Sequence, residues 1–192
     1  MDTLAGAIRQ MIEIDEDELA RFLALCFPRF YSKNALLSCP DVIPNEVFFV
    51  VRGVVRVLVT DVDGDEHTVH FALENQFISD YSCFMQVVPS LYSLQALEDT
   101  EVIVLPRAAI EWGYCNLHQG DRLGRRIAEF YFIYHDSRIK NQYLRTPKER
   151  YDLITDVFPN IHYRAPQHMI ASYLGITPVH LSRLKKAAMK KS

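Results

Sequence analysis

The residues best suited to act on a partner lie near the C-terminus, where residues 166–189 read PQHMIASYLGITPVHLSRLKKAAM. Pro166 suits the first position of a helix, whose N–H has no partner in any case. Ile170, Ala171 and Leu174 give that helix an apolar face, and Gly175 falls where it has to stop and turn. Ile176 plugs the gap before a second helix, which Thr177 caps and Pro178 opens. Leu181 and Leu184 face inward, leaving Val179, His180, Arg183 and Lys186 outward. Helix, glycine-containing turn and helix, with a small Ala171 permitting close approach, form the plan of a helix-turn-helix. In that plan the second helix enters a DNA major groove. The expected DNA-contacting set is Gln167, Thr177, Val179, His180, Arg183, Lys185 and Lys186. A plain helical hairpin packed on the rest of the chain needs neither this Ala, Gly, Ile, Thr order nor an outer face free of acids.

Other chemistry is weaker. His67 and His70 invite a metal-site reading, but residues three apart on a strand point to opposite faces, so no metal is expected. Cys26, Cys39, Cys83 and Cys115 are far apart without a CxxC pair, a pattern that fits buried, reduced thiols. No nucleophile–base pair, phosphate-cradling glycine loop or carboxylate dyad stands out, so no catalytic residue is assigned and the chain is not expected to be an enzyme.

Charge supports a polyanionic partner. Residues 1–145 carry 13 Lys/Arg and 21 Asp/Glu, a net of −8, whereas residues 146–192 carry 8 and 3, a net of +5. After Asp156 every charged side chain is basic, ending in Lys190 and Lys191. An all-basic end on an acidic body suits nucleic acid, although a solvated tail has the same composition. No apolar run approaches the roughly 20 residues of a membrane span. The first residues lack the basic start and apolar stretch of a secretion signal, so a cytoplasmic location without membrane contact is expected.

The elements that must position these residues follow from pattern. An acidic start at Asp15–Glu18 followed by LARFLALCF reads as an amphipathic helix. From Phe30 to about Leu105 come β-branched or aromatic runs separated by Pro and Gly turns, which argue for an antiparallel sandwich or jelly roll. Asp63-Gly64 is the clearest hairpin, read as a primed turn. From Asn116 the period becomes helical, with Leu123, Ile127, Phe130 and Tyr134 in one row. Packing on the barrel and pairing with a second chain produce the same row. The expected class is α+β in three parts: a barrel over residues 1–115, a long helix over 116–146 and the helix-turn-helix over 147–192.

Three segments together resemble bacterial Crp/Fnr-family transcription regulators: FFVVRGVVRVLVTDVDGDEHTV, RTPKERYDLI and APQHMIASYLGITPVHLSRLKK. The resemblance implies a cyclic-nucleotide-binding-type jelly roll, a helix pairing two subunits, and DNA and RNA polymerase as partners. Leu123, Ile127, Phe130 and Tyr134 then become the seam of a homodimer on a palindromic operator. Two departures are plain. A basic tail runs to Ser192, so the shorter, wingless branch of the family is expected, and the pocket lacks the family's Gly-Glu and Arg-Ser/Thr-Ala signatures. Ser79-Asp80 and Ser90-Leu91-Tyr92 stand there instead. Asp80, Ser90, Tyr92 and His135 are the pocket candidates that the resemblance implies. Ser90 supplies no positive charge for a cyclic phosphate. No cofactor is assigned, and an unidentified small effector, or none, is expected in preference to cyclic AMP. Two other readings stay open: a small-molecule sensor acting through protein contacts, and a jelly-roll metalloenzyme.

Overall fold

Two antiparallel sheets face each other in a computed structural model that describes residues 1–189. The basic pair Lys190 and Lys191 lies outside the described residues. Two helices, α1 (Asp2–Met11) and α2 (Glu16–Leu23), precede the sheets. Asp15 caps α2, its carboxylate accepting from the backbone N–H groups of Asp17 and Glu18. The strands are β1 (Phe27–Tyr31), β2 (Leu36–Ser38), β3 (Glu46–Arg52), β4 (Val55–Thr60), β5 (Glu66–Ala72), β6 (Phe77–Ile78), β7 (Tyr92–Ala96) and β8 (Thr100–Pro106). A short helix, α3 (Tyr81–Gln86), sits between β6 and β7. One sheet has the order β1-β8-β3-β6 and the other β2-β7-β4-β5.

Strand alternation builds the core between the sheets. Phe48, Val50, Val55, Leu94, Val102 and Val104 are buried there together. On the outer face of the first sheet, Phe49, Phe77 and Ile103 pack against Leu4, Ile8 and Phe22 of the N-terminal helices. Gly53 joins β3 to β4 at φ +111°, and a Cβ there would stand 2.4 Å from Thr100 Oγ1, so only glycine fits. The β4–β5 hairpin is present but not as a tight primed turn. Its loop is tied by Asp61, whose Oδ1 accepts from the N–H groups of Asp63 and Asp65. An aspartate binding its own loop competes with the shorter turn.

The remaining helices are α4 (Arg107–Asn116), α5 (Gly120–Leu144), α6 (Pro147–Val157), α7 (Ile161–Arg164), α8 (Gln167–Leu174) and α9 (Pro178–Met189). Pro147 starts α6 within a full capping box of Thr146 and Glu149. Phe158, Ile161, Ile170, Leu174 and Leu181 form the core of the C-terminal helices, and Phe71, Val54 and Leu73 of the barrel belong to the same cluster. The two regions are tied further by Arg164, which pairs with Glu74 at 2.6 Å and with Glu98 at 2.5 Å. The Ser172 hydroxyl accepts from the Thr68 backbone N–H.

Candidate nucleic-acid interface and ligand cavity

In the C-terminal module, α8 ends at Gly175 in the left-handed region, φ +66°, where its N–H closes on Ser172. Pro166 precedes the first turn of α8 as its N-cap, one position earlier than the sequence pattern suggests. Thr177 receives the His180 N–H on its side-chain oxygen at 3.2 Å and so starts α9. Leu181 is fully buried, fixing the rotation of α9. Val179, His180, Arg183 and Lys186 are exposed on the opposite side. Gln167 and Thr177 are exposed at the starts of α8 and α9. Lys185 departs from the set. It is only half-exposed, one residue past the buried flank, and close enough to His162 to lower that imidazole's pKa, which burial lowers more.

Helix α5 has two unlike sides. Leu123 is buried among the N-terminal helices, with Ile127 and Tyr131 packed on the same cluster. The Tyr134 hydroxyl lies 2.9 Å from His70 Nδ1 and 3.0 Å from the Tyr173 hydroxyl. Three members of the anticipated seam therefore pack within their own chain, and only Phe130, 58% exposed, does not. Leu123 and Ile127 meet α4 and the N-terminal helices, while Tyr134 meets β5 and α8. The outward side is apolar nonetheless. Phe132 is 73% exposed and Ile139 59%, with Ile133, Tyr143 and Leu144 also bare. Ala128, Phe132, His135 and Ile139 recur at i, i+4, i+7 and i+11, the spacing of a coiled-coil seam.

Between α5, the N-terminal helices and the sheets runs a cavity of about 570 Å³. Asp80, Tyr92 and His135 line it, as the pocket reading expects. Ser90 does not. It is buried behind Asp80 and donates its hydroxyl to Asp80 Oδ2 at 2.7 Å. Asp80 Oδ1 accepts from Cys83 N–H as the cap of α3. The loop that would hold a phosphate is thus an internally bonded corner carrying an acid. Arg125 pairs with Glu129, and Arg126 donates to the Met11 carbonyl, so neither turns to the cavity.

The cation that sequence reasoning missed is Arg138. It lines the cavity on α5, its Cζ 4.9 Å from the Tyr173 ring centre, and its buried Nε has no hydrogen-bond partner. Helical spacing from Tyr134 was the available signal, since i+4 returns to the same face. Beside it His70 is buried, with Nε2 unpartnered. Burial, reinforced by His135 and Arg138, depresses the His70 pKa to about 3 and keeps the ring neutral. The two strand histidines part company, since His67 is exposed and meets Asp61 at 2.6 Å. The thiols are mixed. Cys26 is buried, its pKa raised to about 11 by desolvation, while Cys39 and Cys115 are exposed, which corrects the expectation of four buried thiols. Among the described residues no helix is long and apolar enough to cross a membrane.

Comparison with known proteins agrees at the level of fold. Residues 28–112 match the cyclic nucleotide-binding domain family. FixK2 from Bradyrhizobium japonicum is similar over 86% of this chain and 85% of its own, at 19% identity and a TM-score of 0.72. CLP from Xanthomonas campestris, a c-di-GMP-responsive global regulator, is similar over 92% and 93%, at 13% identity and 0.68. Thermus thermophilus catabolite activator protein is similar over 92% and 84%, at 16% and 0.56. No curated protein sequence matches the chain.

Proposed function

We propose that this chain, a cyclic nucleotide-binding domain at residues 28–112 within the fold of the Crp/Fnr regulators, is a homodimeric, sequence-specific DNA-binding transcription regulator. One observation carries the reading: α9 buries Leu181 and presents Val179, His180, Arg183 and Lys186 to solvent without one acid. A solvated helix can carry such a face, but a major-groove helix requires it, and the turn closed by Gly175 and capped by Thr177 supports the second. The exposed row Phe132, His135 and Ile139 replaces the earlier seam as the surface for a second copy. That partner helix would also cover the outer wall of the cavity, because Phe132 and Ile139 line it. We read the chain as a cytoplasmic regulator rather than an enzyme, with RNA polymerase as a further partner. Cyclic AMP is not its effector on this reading, because Asp80 and Ser90 satisfy each other where a phosphate needs a cation.

The test is the salt dependence of duplex binding. Fluorescence anisotropy should give affinity that falls steeply between about 50 and 200 mM salt, the signature of counterion release. Binding that is absent, or indifferent to salt, removes the DNA reading and favours a sensor acting through protein contacts.

A further inference from the structure

Resting on that reading of a regulator with a sensing cavity, we infer that the cavity receives a monocarboxylic acid with an extended apolar body, its carboxylate held by Arg138 beside His70. Volume sets the size class: about 570 Å³ lies inside the usual span for small-molecule sites. Shape sets the form. The cavity follows α5 from Gly120 to Ile139, a rise of roughly 28 Å at 1.5 Å per residue. At its far end the walls include Leu4, Ile8, Phe22 and Leu123, and the hydroxyls of Tyr81 and Tyr114 are paired with each other at 2.9 Å. A compact, polar nucleotide wastes that end, while a hydrocarbon or arylalkyl chain fills it.

The polar end sets the charge. Arg138 has no carboxylate within ion-pairing distance among the described residues, and its buried Nε is left without an acceptor. The fully buried guanidinium of Arg56 is different: Thr68 accepts from it at 2.9 Å and Glu66 pairs with it at 2.6 Å. A buried donor without an acceptor is unfavourable, so an acceptor brought by a ligand relieves it. In the tautomer in which Tyr134 donates to His70 Nδ1, the hydrogen of His70 rests on Nε2, where it offers a second donor. One fixed positive charge and neutral imidazole donors match a single negative charge on a planar, two-oxygen group. Asp80, the only acid in the wall among the described residues, opposes a dianionic phosphate along the middle of the cavity. The same Arg138 lies over Tyr173 of α8, so a ligand that takes the guanidinium reaches α8 through one side chain.

The experiment is calorimetric titration of the full chain with sodium decanoate, 1-decanol and cyclic AMP. Decanoate should bind at least about ten-fold tighter than decanol, the gain of a charge-assisted contact. Arg138→Gln should erase that preference while decanol binding and the unfolding midpoint stay unchanged, and Arg138→Lys should restore part of it. If the Gln variant fails to fold, the decanoate-to-decanol ratio of the wild type decides alone. Equal affinity for acid and alcohol, no decanoate binding up to about 1 mM, or tighter binding of cyclic AMP each overturns the inference. Loss of decanoate binding with salt-dependent DNA binding intact rejects the ligand and spares the regulator. The converse outcome spares the ligand and rejects the regulator.

Discussion

The loop around Asp80 and the junction around Arg138 border the same cavity, yet one is closed on itself and the other is open. Asp80 is occupied by Ser90 and by the cap of α3. Arg138 and His70 each keep a buried polar atom without a partner. Buried polar groups that satisfy one another hold structure, and those left unsatisfied point to something absent. The same contrast divides α5 into a packed row and a bare apolar row, and α9 into a Leu181 side and an Arg183 side. Changes on closed sides should therefore move stability, and changes on open sides should move binding.

The largest effect is expected at the bare row of α5. Ile139→Asp should leave monomers in sedimentation and lower affinity for a palindromic duplex on the order of 100-fold, because linkage of two half-site contacts is lost. Its thermal midpoint should hardly move. Leu123→Ala, on the packed row, should do the reverse, destabilising by about 2–5 kcal/mol while the residual folded protein stays dimeric. A monomer from Leu123→Ala and an intact dimer from Ile139→Asp would reinstate the seam that the sequence row suggests.

On α9 the comparison is sharper. Arg183→Ala should weaken binding to a preferred site by about 1–3 kcal/mol and relax preference at one base pair. Lys185→Ala, on the flank toward His162, should weaken preferred and random duplexes equally and by less. Equal losses for both variants on both duplexes would make Arg183 a phosphate contact.

Asp80→Ala removes a helix cap and the acceptor of a buried hydroxyl, and should cost about 1–2 kcal/mol in chemical unfolding. It should leave cyclic AMP binding absent. Micromolar cyclic AMP binding that disappears in this variant would mean that the corner is open after all.

The smallest effect is a pH dependence where the helical module meets the barrel. The Arg164 guanidinium holds the Glu74 carboxyl at about 2, below its ordinary 4.5. A depressed pKa contributes stability that is complete above about pH 4.5 and fades as pH falls toward 2. The stability gap between wild type and Glu74→Gln, followed by thermal unfolding, should narrow over that window. A gap that is constant from neutral pH down to 2 contradicts the pairing.

Much of this was legible in the chain. Gly175, Thr177 and Leu181 announce the turn between α8 and α9, the first by its left-handed φ, the second by capping and the third by burial. The sheets follow from short β-branched runs between Pro and Gly turns. The seam was not legible, because a row such as Leu123, Ile127 and Tyr134 records only that one face is covered. What covers it depends on α1, α2 and α4 for Leu123 and Ile127, and on β5 and α8 for Tyr134. The pocket was half legible. Asp80 and Tyr92 can be aligned by segment, but whether Ser90 faces a ligand or Asp80 is decided by tertiary packing. Arg138 was legible only as a residue on the Tyr134 face, since a lone arginine on a helix is ordinary until its neighbours are seen to lack an acid.

Selection of bound sites from a random duplex pool with the full-length protein tests the central claim most directly. The account predicts enrichment of an inverted repeat whose half-site centres lie about 34–36 Å apart along the duplex, read by one α9 from each of two chains. A pool that stays random, or a single unrepeated motif, would contradict it.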